Sequence, residues 1–136
     1  MSKFVCLAPL ILAFCAVAGC GARETTAERF AELLNATSEY PSCNAGACIE
    51  SITAKDNIVI AQYTMPMASD DFPPGQLEDR AANAAKLKAE ALRDFCGALQ
   101  DDFPDMRMQW VGHYSTSDGM PFASILMTVG ECPKFQ

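Results

Sequence analysis

Histidine and the usual catalytic signatures are scarce in this chain of 136 residues. It contains one histidine, His113, and has neither a glycine-rich phosphate loop nor a Gly-x-Ser-x-Gly nucleophile motif. His113 lies in a strand-like segment with no cysteine or acid at ligand spacing, and imidazole catalysis needs an oriented partner. We therefore interpret His113 as structural. The sequence predicts no catalytic residue, no metal site and no cofactor, and hence a protein that is not an enzyme.

Positively charged residues are also few. Ten lysines and arginines stand against 17 acidic residues, a net charge of −7. An acidic protein repels phosphate and anionic lipid surfaces, so nucleic-acid binding is disfavoured and the protein's own charge would not attach it to a membrane. The acidic pairs Asp70-Asp71 and Asp101-Asp102 lie in loop-like segments without other oxygen ligands nearby, which gives little support for a calcium site.

One long apolar run is present, at the start of the chain. Phe4 to Ala18 follows Lys3, and the run closes on Val17-Ala18-Gly19-Cys20. This layout resembles a bacterial lipoprotein signal peptide with its lipobox. The resemblance implies diacylation of the Cys20 thiol, cleavage before Cys20 and acylation of the new N-terminus. The alternatives are an ordinary cleaved signal and a transmembrane anchor, but the run, broken by Pro9, falls short of the roughly 20 apolar residues that span a bilayer.

This assignment divides the chain into a signal peptide at residues 1–19, a lipidated cysteine and tether at 20–24, and a single α+β domain at 25–136. Removal of the signal takes away one lysine and no acid, so 117 residues with a net charge of −8 remain. That length suits one domain and is too short for two. Membrane attachment would come from the lipid, since two or more acyl chains anchor a protein stably.

Four cysteines remain after Cys20. An even number in an exported domain indicates disulfides, with three possible pairings. Cys43 and Cys48 flank only four residues, so a local bridge is the economical choice and would leave Cys96 to pair with Cys132. Zinc binding or redox chemistry is less favoured, because zinc sites of this kind use histidine support and a thioredoxin-like pair has two intervening residues.

Hydrophobic periodicity predicts two helices and two hairpins. The predicted elements are a helix at 26–39 behind a Thr25–Glu28 capping box, strands Ile49–Ala54 and Ile58–Met65, a helix at Leu77–Gln100, and strands Met106–Tyr114 and Phe122–Gly130. This order predicts a small α+β sandwich with a mainly antiparallel four-stranded sheet. Ile58 and Ile60 make the second face of their strand apolar as well, which predicts helical cover on part of both faces.

The long helix carries an apolar stripe that we expect to face the sheet. It consists of Leu77, Ala81, Ala84, Ala85, Lys88, Leu92, Phe95, Cys96 and Leu99. Only Lys88 interrupts it, and a lysine stem can reach solvent. The preceding segment Pro66–Gly75 contains three prolines and fits no regular structure, so it is a mobile loop, a partner-facing loop or a plain connection.

The C-terminal half has a characteristic succession of features. They are a helix ending at Phe95-Cys96, a strand ending at His113-Tyr114, an Asp118-Gly119 turn, a strand from Phe122 to Val129, and a closing Cys132. In this half, which is about half of the mature domain, the chain resembles the α/β pilotin lipoproteins of bacterial type II secretion systems. The resemblance implies a chaperone that binds a C-terminal segment of the secretin and takes it to the outer membrane. Gly21 after the lipidated cysteine agrees with outer-membrane sorting, with the domain facing the periplasm.

A pilotin needs an apolar groove that receives a short helix or strand. Our candidates for its lining are Tyr63, Met65, Met67 and Phe72, because methionine adapts to partner surfaces. Two other classes of function stay open. One is a different envelope-complex subunit or an inhibitory binding module with an unrelated partner, and the other is an enzyme with dispersed acidic residues.

Overall fold

The computed structural model of the protein describes residues 24–43, 46–99 and 105–136. The predictions for the signal peptide 1–19, for Cys20 and for Asp101-Asp102 lie outside these residues. Helices and strands appear as α1 (Thr26–Thr37), β1 (Ser42–Cys43), β2 (Cys48–Lys55), β3 (Ile58–Thr64), α2 (Arg80–Ala98), β4 (Gln109–Ser115) and β5 (Pro121–Thr128). The predicted α+β class is confirmed.

The five strands form one sheet in the order β1-β2-β3-β4-β5. The strand count of four was wrong, because β1 pairs with β2 through Cys43 opposite Cys48. A strand of two residues is too short to show a hydrophobic period. All pairings are antiparallel except that of β3 with β4, so the sheet is mixed but mainly antiparallel. The parallel pair arises because α2 carries the chain from one end of the sheet back to the other.

Helix α1 begins at the predicted capping box. The Thr25 hydroxyl accepts a hydrogen bond from the Glu28 N–H at 3.1 Å, and the Glu28 carboxylate accepts one from the Thr25 N–H at 2.8 Å. The helix ends at Thr37, two residues before the predicted end. Phe30 is buried, whereas Leu33, three residues further on and at helical spacing from it, is 39% exposed.

Helix α2 begins three residues later than predicted. The Asp79 carboxylate accepts a hydrogen bond from the Ala82 N–H at 3.2 Å and so caps the helix, while Leu77 lies in the preceding turn. The inward face is also rotated from the predicted stripe. Ala81 and Ala85 are exposed. The rest of the apolar stripe does face the core, and three residues outside the predicted stripe join it: Asn83, Leu87 and Ala91. The predicted members that are buried or half-buried include Ala84, Leu92, Phe95, Cys96 and Leu99.

Both helices pack on one face of the sheet. Phe30 of α1 contacts Phe95 of α2 edge-on at a centroid distance of 6.5 Å, and both rings contact Trp110 of β4, at 6.1 and 5.6 Å. The other face presents Val111 and the 49%-exposed Leu126. Among the described residues no helix covers that face, so the prediction of cover on both faces was wrong. Neither described helix is long and apolar enough to cross a membrane.

The described residues contain two disulfides, one at the edge of the sheet and one in the hydrophobic core. Cys43 is joined to Cys48 across the β1–β2 turn, and Cys96 near the end of α2 is joined to Cys132. These are the pairs that the short Cys43–Cys48 spacing favoured. Cys132 is fully buried, and the second bridge fastens the C-terminal segment to the helix layer.

Candidate functional site

An apolar cavity of about 240 Å³ opens between the end of α1, the β1–β2 turn and α2, and we call it the groove. Its aromatic floor is formed by Tyr63, Trp110 and Tyr114. Apolar side chains from four elements and the segment after β3 line its sides: Leu34, Ala47, Ile49, Ile52, Met65, Leu87 and Ala91. Small-molecule sites usually measure roughly 300–1,000 Å³. The groove is smaller, and its size suits one or two apolar side chains of a protein segment.

The groove floor is built by the register of β3 and β4. Tyr63 lies opposite Tyr114 in the parallel pairing, and their rings stack at a centroid distance of 4.3 Å with an interplanar angle of 3°. Gly112 makes room for this arrangement, since a Cβ atom there would lie 3.1 Å from the Tyr63 ring. The stack therefore depends on a glycine two residues before Tyr114.

The charges at the groove are negative. Glu90 and Asp94, both exposed on α2, line it beside the two phenols. Burial raises the pKa of Tyr63 to about 12, and the negative charge of Asp94 adds to the rise. Burial also raises the pKa of Tyr114, with further contributions from Tyr63, Glu90 and Asp94. Both phenols therefore stay neutral at physiological pH, and the groove combines an apolar floor with an acidic rim.

The floor also holds a buried donor without a partner. Trp110 is 6% exposed, and its indole N–H has no hydrogen bond within the described part of the chain. The Tyr63 hydroxyl interacts with this N–H, which lowers the pKa of that phenol against the larger rise caused by burial. The indole nitrogen has essentially no exposed surface, so the groove presents the apolar part of the Trp110 ring and not its N–H.

The structure separates the four residues predicted to bind a partner. Tyr63 and Met65 line the groove. Met67 lies outside it and is 39% exposed. Phe72 also lies outside, because its ring packs against Phe122 at 5.0 Å in a second apolar cluster. That cluster adjoins the groove, because Tyr63, Met65 and Leu87, which line the groove, also pack against it.

Sequence reasoning missed the contribution of α2 to the groove. The lining includes four α2 residues at helical spacing: Leu87, Ala91, Asp94 and Ala98. An apolar face drawn through Leu87 instead of Leu77 and Ala81 would have included them. Trp110 and Tyr114 lie four residues apart in the predicted strand Met106–Tyr114, so strand alternation places them on one face, as the structure does. Nothing in that alternation indicates that they lie beneath an opening.

The segment 66–75 is fastened to the β4–β5 turn. The Asp118 carboxylate accepts hydrogen bonds from the Ser69 N–H at 2.9 Å and the Ser69 hydroxyl at 2.5 Å, and another from the Thr116 hydroxyl at 2.5 Å. The Met67 carbonyl accepts a further one from the Ser117 N–H at 2.8 Å. Of the three interpretations of this segment, these contacts favour the plain connection over the mobile loop.

The polar groups outside the groove form no convergent site among the described residues. His113 Nδ1 lies 2.9 Å from the Ser124 hydroxyl on the uncovered face of the sheet. Within the described residues, no third polar group forms a hydrogen bond that would orient the His113 imidazole. In the same residues, no group of three histidine, cysteine or acidic side chains could hold a metal ion.

The fold resembles that of the type II secretion pilotins. The pilotin EpsS from the type 2 secretion system of Vibrio vulnificus matches with a TM-score of 0.55 and 17% identity, over 78% of this chain and 87% of that chain. A Pseudomonas aeruginosa protein described as secreted matches with a TM-score of 0.52 and 15% identity, over 82% and 99%. The pilotin AspS from Vibrio cholerae gives 0.45 and 17%, over 78% and 88%. No protein-family model and no curated protein sequence matches the chain.

Proposed function

We propose that this protein is a pilotin-like lipoprotein of the bacterial envelope. Lipids on Cys20 anchor it to the outer membrane, the domain faces the periplasm, and the groove binds a C-terminal segment of a secretin during targeting or assembly. The observation that carries the proposal is an open apolar groove on a pilotin-like fold. The two disulfides support a location outside the cytoplasm, where such bonds persist.

The size of the groove sets what it can contribute to binding. Burying a leucine- or phenylalanine-sized side chain is worth about 1.5–3 kcal/mol, so two anchors supply about 3–6 kcal/mol. Association itself costs roughly 4–15 kcal/mol. Two anchors therefore do not suffice for tight binding, and the segment must make further contacts, for example with Glu90 and Asp94 at the rim.

Met65 and Met67 offer a matched pair for the test. They lie two residues apart, but only Met65 lines the groove. The lipidated protein would be crosslinked in outer membranes and its partners identified by mass spectrometry. We expect the wild type and Met67→Asp to capture a secretin and Met65→Asp to lose it, with thermal melts and circular dichroism showing that both variants fold.

Either of two results would reject the proposal. The first is capture of no secretin by the wild type while the same crosslinker works on a known envelope complex. The second is undiminished capture by a folded Met65→Asp protein. Specific recovery of an unrelated protein would instead favour an envelope-complex subunit or an inhibitory module.

The lipid anchor has a test of its own. Wild type is expected to incorporate labelled palmitate and to fractionate with outer membranes, whereas Cys20→Ala should incorporate none and be released from them. Palmitate labelling that persists in Cys20→Ala would place the lipid elsewhere. An unlabelled wild type that is freely soluble would indicate an ordinary cleaved signal.

A further inference from the structure

We infer that the uncovered face of the sheet binds a second copy of this chain, so that the two sheets pack face to face. The helices and grooves of both copies then lie on the outside of a four-layer dimer. Self-association goes beyond the proposed function, and only the direction of the two-fold axis rests on the proposed lipid anchor.

An apolar row crosses the middle of the uncovered face. The strand register aligns four residues, one from each of β2 to β5: Thr53, Ile60, Val111 and Leu126. Ile60 and Val111 are half-buried, and Leu126 is 49% exposed. Together with Ile58, this row makes the face apolar enough for the sequence to predict cover on it. Because no described helix provides that cover, a second molecule would supply it.

The charge of the uncovered face favours a copy of the same chain. The two flanking rows contain amide, hydroxyl and apolar side chains with one lysine and one histidine: Lys55, Ile58, Gln109 and Thr128 in one, and Ser51, Gln62, His113 and Ser124 in the other. Among these described strand residues there is no carboxylate, although the chain has 17 acidic residues, and Glu50 lies in the β2 bulge beyond the rows. A second copy carries the same net negative charge, so it is repelled least at this face.

The position of the lipid anchor selects the two-fold axis. Helix α1 begins beside the β2–β3 turn, because the Asn57 side chain accepts a hydrogen bond from the Ala27 N–H at 3.1 Å. Cys20 precedes Glu24 by four residues, which span at most about 14 Å. Two copies on one membrane must therefore turn the same end of their sheets towards it, and a two-fold axis parallel to the strands achieves this. Since α1 and the groove lie on the opposite face, both stay free in the dimer.

This axis makes the uncovered face complementary to itself. Packed sheets lie about 10 Å apart with their strands within about 30° of each other. A two-fold axis between β3 and β4 places β3 over β4 of the second copy, and β2 over β5. The facing pairs, one residue from each copy, are Ile60 with Val111, Thr53 with Leu126, and Gln62 with His113. Apolar groups therefore face the apolar row, and an amide faces an imidazole.

The size of the uncovered face sets the strength of the dimer. Four strands at a spacing of about 4.8 Å, with seven residues each in β3 and β4 at about 3.3 Å per residue, give a footprint of about 440 Å² per copy. The two copies together cover about 900 Å², below the roughly 1,200–2,000 Å² of stable complexes. The dimer is therefore weak in dilute solution and depends on the shared membrane, which raises the effective concentration of one copy near another.

Photo-crosslinking in outer membranes tests the dimer at its membrane. A photoreactive phenylalanine analogue placed at Leu126 is expected to crosslink to a second copy, through a peptide that contains β2. The control carries the same analogue at Met120, which is 48% exposed but lies outside the face, and should give no such product. Crosslinks from position 126 to lipid, to another protein or to a different part of the second copy would overturn the inference, as would the absence of any crosslink.

Charge substitutions test the arrangement of the two copies. The lipoprotein would be reconstituted in vesicles, and energy transfer between donor- and acceptor-labelled copies measured against surface density. Leu126→Asp removes two half-exposed leucines from each dimer and buries two carboxylates, so half-maximal transfer should require at least about a 10-fold higher density. Met120→Asp adds the same charge at matched exposure and should behave like wild type. Should Leu126→Asp fail to fold, Thr53→Asp places a carboxylate in the same contact from an exposed position.

A second substitution should restore the dimer of Leu126→Asp. With Thr53→Lys added, each lysine faces an aspartate of the second copy, and energy transfer should return towards the wild-type curve. Ser124→Lys gives the same net charge but lies on β5 beside the aspartate, and should not restore it. Wild-type copies that show no transfer above that of randomly distributed molecules, or a lack of rescue by Thr53→Lys, would overturn the inference.

The dimer and the proposed function fail separately. The groove lies on the helix-covered face, so folded Leu126→Asp should still capture a secretin. Capture of a secretin by a protein that does not dimerise would reject the inference alone. Dimerisation without secretin capture would reject the proposed function alone.

Discussion

Replacing Phe30 with alanine should reveal how much of the fold depends on the contact between the two helices and the sheet. The Phe30 side chain is 1% exposed and lies edge-on against both Phe95 and Trp110. Truncating a buried phenylalanine removes its burial energy and leaves a cavity, at a cost of about 3–5 kcal/mol. Because the edge-on contacts with two other rings are lost as well, we expect the cost of Phe30→Ala to lie in the upper part of that range.

The corresponding shift in melting temperature follows from the size of the domain. Unfolding entropy near 60 °C is about 2.1 cal/mol/K per residue, or about 0.24 kcal/mol/K for the segment 25–136. Each kcal/mol therefore lowers the melting temperature by about 4 °C. Phe30→Ala should lower it by about 16–20 °C, with a matching loss of unfolding free energy in urea at constant m-value.

Leu33→Ala is the matched control, because it lies on the same helix but is 39% exposed. It should cost less than about 1 kcal/mol, since most surface substitutions change stability little. Both variants would be unfolded with their disulfides intact and followed by far-ultraviolet circular dichroism. Equal costs for the two changes, or a cost below about 1 kcal/mol for Phe30→Ala, would refute the packing described here.

Three further predictions concern the contacts that hold the fold together. Changing Cys96 and Cys132 together to alanine opens a loop with a sequence separation of 36 and should cost about 4 kcal/mol in urea unfolding, without loss of the folded circular dichroism spectrum. Hydrogen bonds from Ser69 lower the Asp118 pKa from 3.8 to about 2, so the stabilising contribution of this carboxylate is present above pH 3.8 and lost as pH falls towards 2. Protection of the Ser69 amide against hydrogen exchange, corrected for the intrinsic pH dependence of exchange, should fall over that range. Asp118→Asn should abolish this pH dependence, and an unchanged profile would contradict the assignment. Lys88→Met removes the ion pair of 2.9 Å between Lys88 and Glu131, whose side chains are partly exposed. Because exposed ion pairs contribute little, the unfolding free energy should change by less than about 1 kcal/mol, and a larger loss would contradict this expectation.

The sequence by itself determined the features that depend on neighbouring residues. Thr25 and Glu28 form the predicted capping box, because both partners lie within one helical turn. Asp56, in the short connection between the predicted strands Ile49–Ala54 and Ile58–Met65, has a positive φ of 56°, which aspartate tolerates in tight turns, and Gly119 of the Asp118-Gly119 turn has one of 88°. The short spacing of Cys43 and Cys48 favoured the bridge that the structure contains. In each case the stabilising interaction spans a few residues, so a local pattern carries the necessary information.

Tertiary structure alone decided which side chains meet. From the sequence, Met67 and Phe72 were predicted to line the groove together with Met65. In the structure they lie outside it, in a segment that is hydrogen-bonded to the β4–β5 turn. The rotation of α2 turned Leu87 and Ala91 inward and left Ala81 and Ala85 exposed, because Phe95 packs against Phe30 and Trp110. Hydrophobic periodicity shows that a helix has an apolar face, and it defines the rotation of that face about the helix axis to within about one residue. The exact phase, and the groove that follows from it, is set by contacts between residues distant in sequence.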